Sequence, residues 1–229
     1  MAEKELDKLI IIGAGGHGKV CADIAKLMGY RDIVFLDDDS TLTHCGKYPV
    51  LGLSSSADKL RGDIFVAVGD NELRRKITSK LSCDRMAKLI HPDAVISGTV
   101  QIGQGTVVMA GVVINSDAEI GKGCIINTCS SVDHDCRIGD FVHVSVGSHM
   151  SGTVQVGDNC LLGVGSIVKN NICICSNTVI GAGAVVVKNI TVKGTYIGIP
   201  AQEITGGGDN LLEDKKISFW HFASKGACA

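Results

Sequence analysis

The chain has 229 residues, a net charge of −2, 45% hydrophobic and 4% aromatic content, and 29 glycines. That is enough apolar material for one large or two small domains with cores, and the near-neutral charge argues against a nucleic-acid binder, which would carry a basic excess or stripe. No apolar stretch reaches the roughly 18 residues of a membrane span, and acids precede the first apolar run in "MAEKELDKLIII", so neither a span nor a secretory signal is expected.

The first ninety residues alternate strand and helix patterns. "KLIIIGAGGHGKVCADIAKLMGY" reads as an apolar strand, a Gly-rich turn and an amphipathic helix, and "DIVFLDDD" as a second strand ending in acids. "DIFVAVGDNELRRKITSKL" repeats strand, turn and helix, and "AKLI" before His91 and Pro92 reads as a last strand. This predicts a small parallel α/β sheet, a Rossmann-like half-domain over residues 1–90, with ligands at the carboxyl ends of its strands. The stretch "STLTHCGKYPVLGLSSS" reads only as a loop over that site.

Gly13, Gly15 and Gly18 satisfy G-x-G-x-x-G, and Asp37 follows Gly13 by 24 residues. The spacing suits phosphate at a helix N-terminus and an acid on a ribose hydroxyl. Ninety residues make only half of a dinucleotide fold, so a single nucleotide diphosphate is favoured over NAD. A purely structural turn is the remaining reading.

From Ile96 to Val192 every sixth residue is apolar, and the residue two before it is small or β-branched, as at Thr106, Ala118, Cys124, Cys136, Cys160 and Ala184. Glycine follows several of the aliphatics, at Gly103, Gly121, Gly139, Gly157, Gly163 and Gly181, where corners would need a permissive backbone. A period of six fits neither strand nor helix. It predicts a parallel β-helix over residues 91–204, three repeats to a coil. The ten cysteines show no disulfide framework. Cys124, Cys136 and Cys160 fall at the small core position, and reduced thiols in a cytoplasmic protein are expected.

"VDHDCRIGDFVHVSVGSH" carries His134, His143 and His149, three of the chain's seven histidines. Metal ligation, proton transfer and ordinary surface positions all remain open on spacing alone. Residues 205–229, with three consecutive glycines and "ISFWHF", lie outside the repeat and read as a tail.

Taken together, "GAGGHG", "VCADIAKLMGY", "FLDDD", "VAVGDNELRRKI", "INTCSSVDHDCRIGDFVHVSVG" and "GTYIGIPAQEI" resemble the bacterial hexapeptide-repeat sugar acetyltransferases. That family includes sialic acid O-acetyltransferases and nucleotide-aminosugar N-acetyltransferases, and the likeness is strongest to those acting on UDP-linked 4-amino-4,6-dideoxy sugars of the bacillosamine type. The resemblance implies a left-handed β-helix, a homotrimer with sites at subunit seams, acetyl-CoA as co-substrate and no required metal. It implies that Gly15, Gly16, His17, Asp37, Asp38 and Gly69 contact the nucleotide-sugar. His134 would be the catalytic base with Asp135 beside it, where the family usually carries Glu. His143, Gly152, Val164 and Ala182 would contact acetyl-CoA.

Nine residues are half of an eighteen-residue coil, so His134 and His143 should lie on opposite sides of one prism and share a site only across subunits. GDP-linked 4-amino sugars and sialic acid are alternative acceptors. A γ-class carbonic anhydrase, with zinc on three seam histidines, and a non-catalytic nucleotide-sugar scaffold are the rival readings.

Overall fold

The computed structural model describes residues 7–204; the tail expected at 205–229 lies outside them. The chain opens with β1 (Lys8–Ile12), α1 (Gly16–Leu27) and β2 (Asp32–Leu36). A short hairpin of β3 (His44–Cys45) and β4 (Tyr48–Pro49) and a 3-10 turn at Ser54–Lys59 lead to β5 (Asp63–Val66) and α2 (Asn71–Thr78). Strands β2, β1 and β5 form a three-stranded parallel sheet in that order. Leu9, Ile10, Ile11, Phe35, Ile64 and Phe65 are all buried, because helices and loops cover both faces. Gly18 must lack a side chain, since a Cβ there would collide with the Gly13 carbonyl oxygen.

The strand expected from "AKLI" forms as β6 (Leu89–Ile90), but it does not join the α/β sheet. Leu89 pairs with Val107 and Ile90 with Val108, eighteen residues on. The coil period is therefore already in force before His91, and β6 is the first rung of the solenoid.

Beyond β6, two-residue strands recur every six residues from Val95–Ile96 to Val185–Val186, stacking in parallel into three sheets. The core alternates the repeated aliphatics with the small residues two before them, and Thr106, Val112, Ala118, Cys124, Ser130, Cys136, Ser148, Cys160 and Ala184 are at most 1% exposed. The Cys124, Cys136 and Cys160 thiols donate to backbone carbonyls of the next coil, which makes them core residues.

Two expectations about the repeat change. Glycine after the aliphatic is needed for close approach of coils and not for an unusual φ: a Cβ on Gly121 would sit 2.6 Å from the Gly139 carbonyl carbon. The left-handed backbone falls two residues later, at every sixth position from Gly105 to Gly183, including Asp117, Cys129, Asp135, Phe141, Thr153 and Asn159. The register also ends early. Val192 is 58% exposed, and Ile190 takes the inward place, bridging Ile174 across a last coil two residues short.

The three faces differ in what they show outward. One presents Leu89, Val107, Ile125 and His143, all covered by the α/β half; Val107 and Ile125 share a core with Leu9, Ile11, Ala22 and Phe35. A second presents Gln101, Glu119, Arg137, Gln155 and Cys173. The third presents Val95, Val113, Ser131, His149, Ile167 and Val185, with Val95, Val113 and Ile167 exposed.

Candidate active site

The turn between β1 and α1 delivers Gly15 and Gly16 to an open surface, with no atom within 4 Å of where a Cβ would stand. Helix α1 begins without a side-chain cap and without an acid in its first turn, so its first N–H groups have no side-chain partner and no compensating charge. A cavity of about 650 Å³ lies at the carboxyl ends of the strands, with Gly13, Asp37, Asp38, Ser54, Val68 and Lys76 in its wall.

Asp37 and Asp38, the two residues after β2, line that cavity while tying down its walls. Asp37 accepts from the Ala14 N–H at 2.7 Å and the Asp39 N–H at 2.9 Å. Asp38 accepts from the Ser54 N–H at 2.9 Å and hydroxyl at 2.7 Å. The stretch read only as a loop thus supplies Ser54 to the cavity and anchors it to the second strand. Gly69 follows β5 in the loop opposite the first turn.

His17, in the first turn of α1, is half-buried, with Nε2 3.7 Å from the Cys21 thiol. Burial, and then the Arg74 charge, hold it well below the usual imidazole range.

His143 lies on the covered face and is 8% exposed. Asn127, one coil below, fixes its tautomer. The Asn127 Oδ1 accepts from the Thr128 N–H at 2.8 Å, which turns its amide nitrogen to His143 Nε2 at 3.1 Å. Nε2 accepts, so the proton sits on Nδ1. That atom is buried without a hydrogen-bond partner among the described residues. Burial, then the charges of Arg74 and His17, push His143 down to about 3, against a weaker upward pull from the Gly69 backbone.

His134 occupies a different environment, at the corner between the third and second faces, with 57% of its side chain exposed. Asp135, whose left-handed backbone (φ 56°) turns that corner, brings its carboxylate to 2.7 Å from His134 Nδ1. The missing methylene relative to Glu does not prevent contact. The hydrogen bond to Asp135, then the Asp133 charge, raise the His134 pKa. Asp133 also accepts from the His134 N–H at 2.8 Å and from Asn115 at 2.7 Å, so the corner is braced from the preceding coil.

Gly152 stands one coil above His134. Val164 and Ala182 stack on adjacent coils at the other edge of the third face, where the Gly183 N–H donates to the Val164 carbonyl. His149 lies between these corners on the third face, exposed, with Nδ1 2.9 Å from the Ser131 hydroxyl. The three clustered histidines therefore diverge within one chain, to a corner, a covered face and an open face. Among the described residues no group of three His, Cys, Asp or Glu side chains has the geometry of a metal site, and no helix is long and apolar enough to cross a membrane.

Asn127, Asp133 and Arg74 escaped the sequence reading. Arg74 carried a weak signal, since it lies three residues before Ile77 on one face of α2. Asn127 carried none beyond standing at an outward corner of a repeat.

Residues 8–81 match the family model described as the PglD N-terminal domain. A UDP-N-acetylbacillosamine N-acetyltransferase of Bacillus subtilis (strain 168) is 36% identical over 113 residues, 46% of this chain and 52% of that protein; the chain thus spans about half the length of this curated relative. The acetyltransferase domain of PglB from Neisseria gonorrhoeae FA1090, also solved in complex with acetyl coenzyme A, is 42% identical with a TM-score of 0.82. That alignment spans 86% of this chain and 99% of the uncomplexed domain. PerB from Caulobacter crescentus, solved with CoA and GDP-perosamine, is 38% identical with a TM-score of 0.80, over 86% of this chain and 96% of PerB. With an uncapped Gly-rich turn, a six-residue solenoid and a corner histidine backed by an acid, the chain belongs to the hexapeptide-repeat nucleotide-aminosugar N-acetyltransferase family.

Proposed function

We propose that the chain transfers the acetyl group of acetyl-CoA to the 4-amino group of a UDP-linked 4-amino-4,6-dideoxy sugar, in a homotrimer whose subunits share each site. The observation that carries this reading is the His134–Asp135 pair. With Nδ1 donating to Asp135, the His134 lone pair is on Nε2, which lies beside Gly152 on a ring that is more than half exposed. That is the form a general base needs.

The neutral amine attacks the thioester carbon and its proton passes to His134 Nε2. The new C–N bond forms, the oxyanion collapses, the C–S bond breaks, and the proton returns to the CoA thiolate. Asp135 stabilises the imidazolium while it exists. The Gly152 N–H is the candidate donor to the oxyanion. No acyl-enzyme is needed, because a thiolate is already a good leaving group.

The cavity beside Gly13, Asp37 and Asp38 and the free N–H groups of α1 support a nucleotide diphosphate there. The trimer is supported by the contrast between faces: a row with exposed Val95, Val113 and Ile167 needs a cover that the polar row does not. It is flanked by the His134–Gly152 corner on one side and the Val164–Ala182 corner on the other. Joining such faces around a threefold axis would bring those unlike corners together. A GDP-linked 4-amino sugar is the second reading, favoured by the GDP-perosamine in the PerB structure.

The test is turnover of acetyl-CoA with UDP- and GDP-linked 4-amino-6-deoxy sugars and free sialic acid, for the wild type and His134→Ala. Thioester absorbance is the better readout, since Cys83, Cys129 and Cys173 are exposed and would react with a thiol reagent. Turnover of one amino sugar that drops by about a thousandfold in the variant supports the reading. No turnover with any acceptor, or an equally fast variant, rejects it.

A further inference from the structure

Arg74 is 1% exposed in the middle of α2. A guanidinium has five N–H donors, and here each finds an oxygen. Nε donates to the Gly123 carbonyl at 2.7 Å, and Nη1 to the Val68 and Gly69 carbonyls at 2.8 and 3.0 Å. Nη2 donates to Asn71 Oδ1 at 2.7 Å and to the Phe141 carbonyl at 3.1 Å. All five acceptors are neutral. Burial lowers the Arg74 pKa to about 10, which leaves it charged at neutral pH.

Stability alone is a poor reason for this arrangement, because a buried cation with no carboxylate in contact, and only the nearby Asp70 charge in its favour, pays a desolvation cost that Met or Leu would avoid. The pattern of acceptors suggests another. Gly123 and Phe141 are equivalent positions on consecutive coils, and Asn71, held by the guanidinium, donates to the Cys160 carbonyl on the next coil at 3.0 Å. Two more bonds seize the loop after β5, of which Val68 lines the cavity and Gly69 stands beside His143. Phe141 lies two residues before His143 on the same coil.

We propose that Arg74 is a positioning residue for acetyl transfer, fixing the nucleotide-sugar loop at Val68–Gly69 against the solenoid strand that carries His143. Its charge has a second effect. Arg74 and His17 are the charged or titratable groups bearing on His143, and the Arg74 charge lowers the pKa of both histidines. The proposal rests on the acetyl-transfer reading for its kinetic part, and not for its effect on the imidazole.

The experiment compares Arg74→Lys and Arg74→Gln with wild type in the full chain, with Arg75→Gln as a surface control; Arg75 is 54% exposed and pairs with Glu72. Steady-state kinetics give kcat and both KM values, and ring-nitrogen NMR follows His143 protonation without turnover. Lys keeps the charge but has three donors in a different geometry. The expected result for Arg74→Lys is a KM for the nucleotide-sugar raised about tenfold or more, with His143 still neutral down to pH 5. In Arg74→Gln the same kinetic loss is joined by an upward move of the His143 titration. A folded Arg74→Lys with unchanged nucleotide-sugar KM overturns the positioning role, even if Arg74→Gln fails to fold. An unchanged His143 titration in folded Arg74→Gln overturns the electrostatic part. A wild type inert toward every acceptor, with the titration moved as expected, instead rejects the acetyl-transfer reading.

Discussion

The imidazole of His134 lies against Gly152 on the next coil so closely that a Cβ on residue 152 would stand 2.5 Å from both Cε1 and Nε2. Glycine at this position is therefore a condition for the ring's placement. Gly152→Ala should swing the exposed ring off its Asp135-bound orientation and reduce kcat by roughly tenfold to a hundredfold. The ring is free to move outward, so the melting temperature should stay within a few degrees of wild type. Kinetics and calorimetry on the same preparation check both parts; an unimpaired Gly152→Ala variant would show that ring placement does not limit the rate.

Asp135 raises the pKa of His134, and a general base works only when unprotonated. Activity should thus fall on the acid side as His134 takes up a proton, at a pH above the ordinary imidazole value. Asp135→Asn removes the negative charge yet tolerates the left-handed backbone. The acid limb should move to lower pH, and the plateau kcat should drop about tenfold because the base is weaker. A pH profile of kcat/KM checks the sign. An acid limb that stays in place would assign it to another group.

His143 has the opposite linkage. Its folded value, near 3, lies far below its unfolded value near 6.5. Above pH 6.5 neither state is protonated and the site contributes no pH dependence. Below it, the unfolded chain binds a proton that the folded chain refuses, so stability should fall by about 1.4 kcal/mol per pH unit from this site. His17, also lowered, adds in the same direction. Denaturant midpoints between pH 7.5 and 4.5 should decline less steeply in His143→Gln; equal slopes would mean that His143 is protonated in the folded protein.

Ile167 is 45% exposed on the third face, so a charge there costs the isolated subunit little. If that face is the trimer seam, Ile167→Glu should give monomers in sedimentation and lose most activity, because the unlike corners separate. Gln155→Glu on the polar face should do neither. A trimeric, active Ile167→Glu variant places the seam elsewhere.

The solenoid was readable because its signal is repeated. Each repeat imposes the same demand on its six positions, so Val108, Ile114, Ile120 and Ile126 report one rule four times. The misreadings came where the rule meets its ends or its neighbours. Leu89 pairs in the solenoid and not in the α/β sheet, which the sequence does not show because two-residue strands carry too little pattern to name a partner; Val192 drops out of the inward register because the last coil is two residues short. The glycines after the aliphatics are needed for contact between coils, a reason that exists only once coils are stacked.

At the site, His134 and Asp135 were readable because adjacency along the chain already brings them together. Asn127 and His143 meet across coils, and Arg74 meets Gly123 and Phe141 across the two halves, so no local pattern joins them.

The sequence by itself determined a Gly-rich turn after an apolar strand and a six-residue solenoid, because both are set by short-range backbone and packing requirements. Only the tertiary structure decided what becomes of the outward-facing residues. His143 and His149 are one repeat apart and look alike in the chain, yet the α/β half covers the first and leaves the second open. Desolvation depends on what docks over a face, and that is a property of the assembled halves.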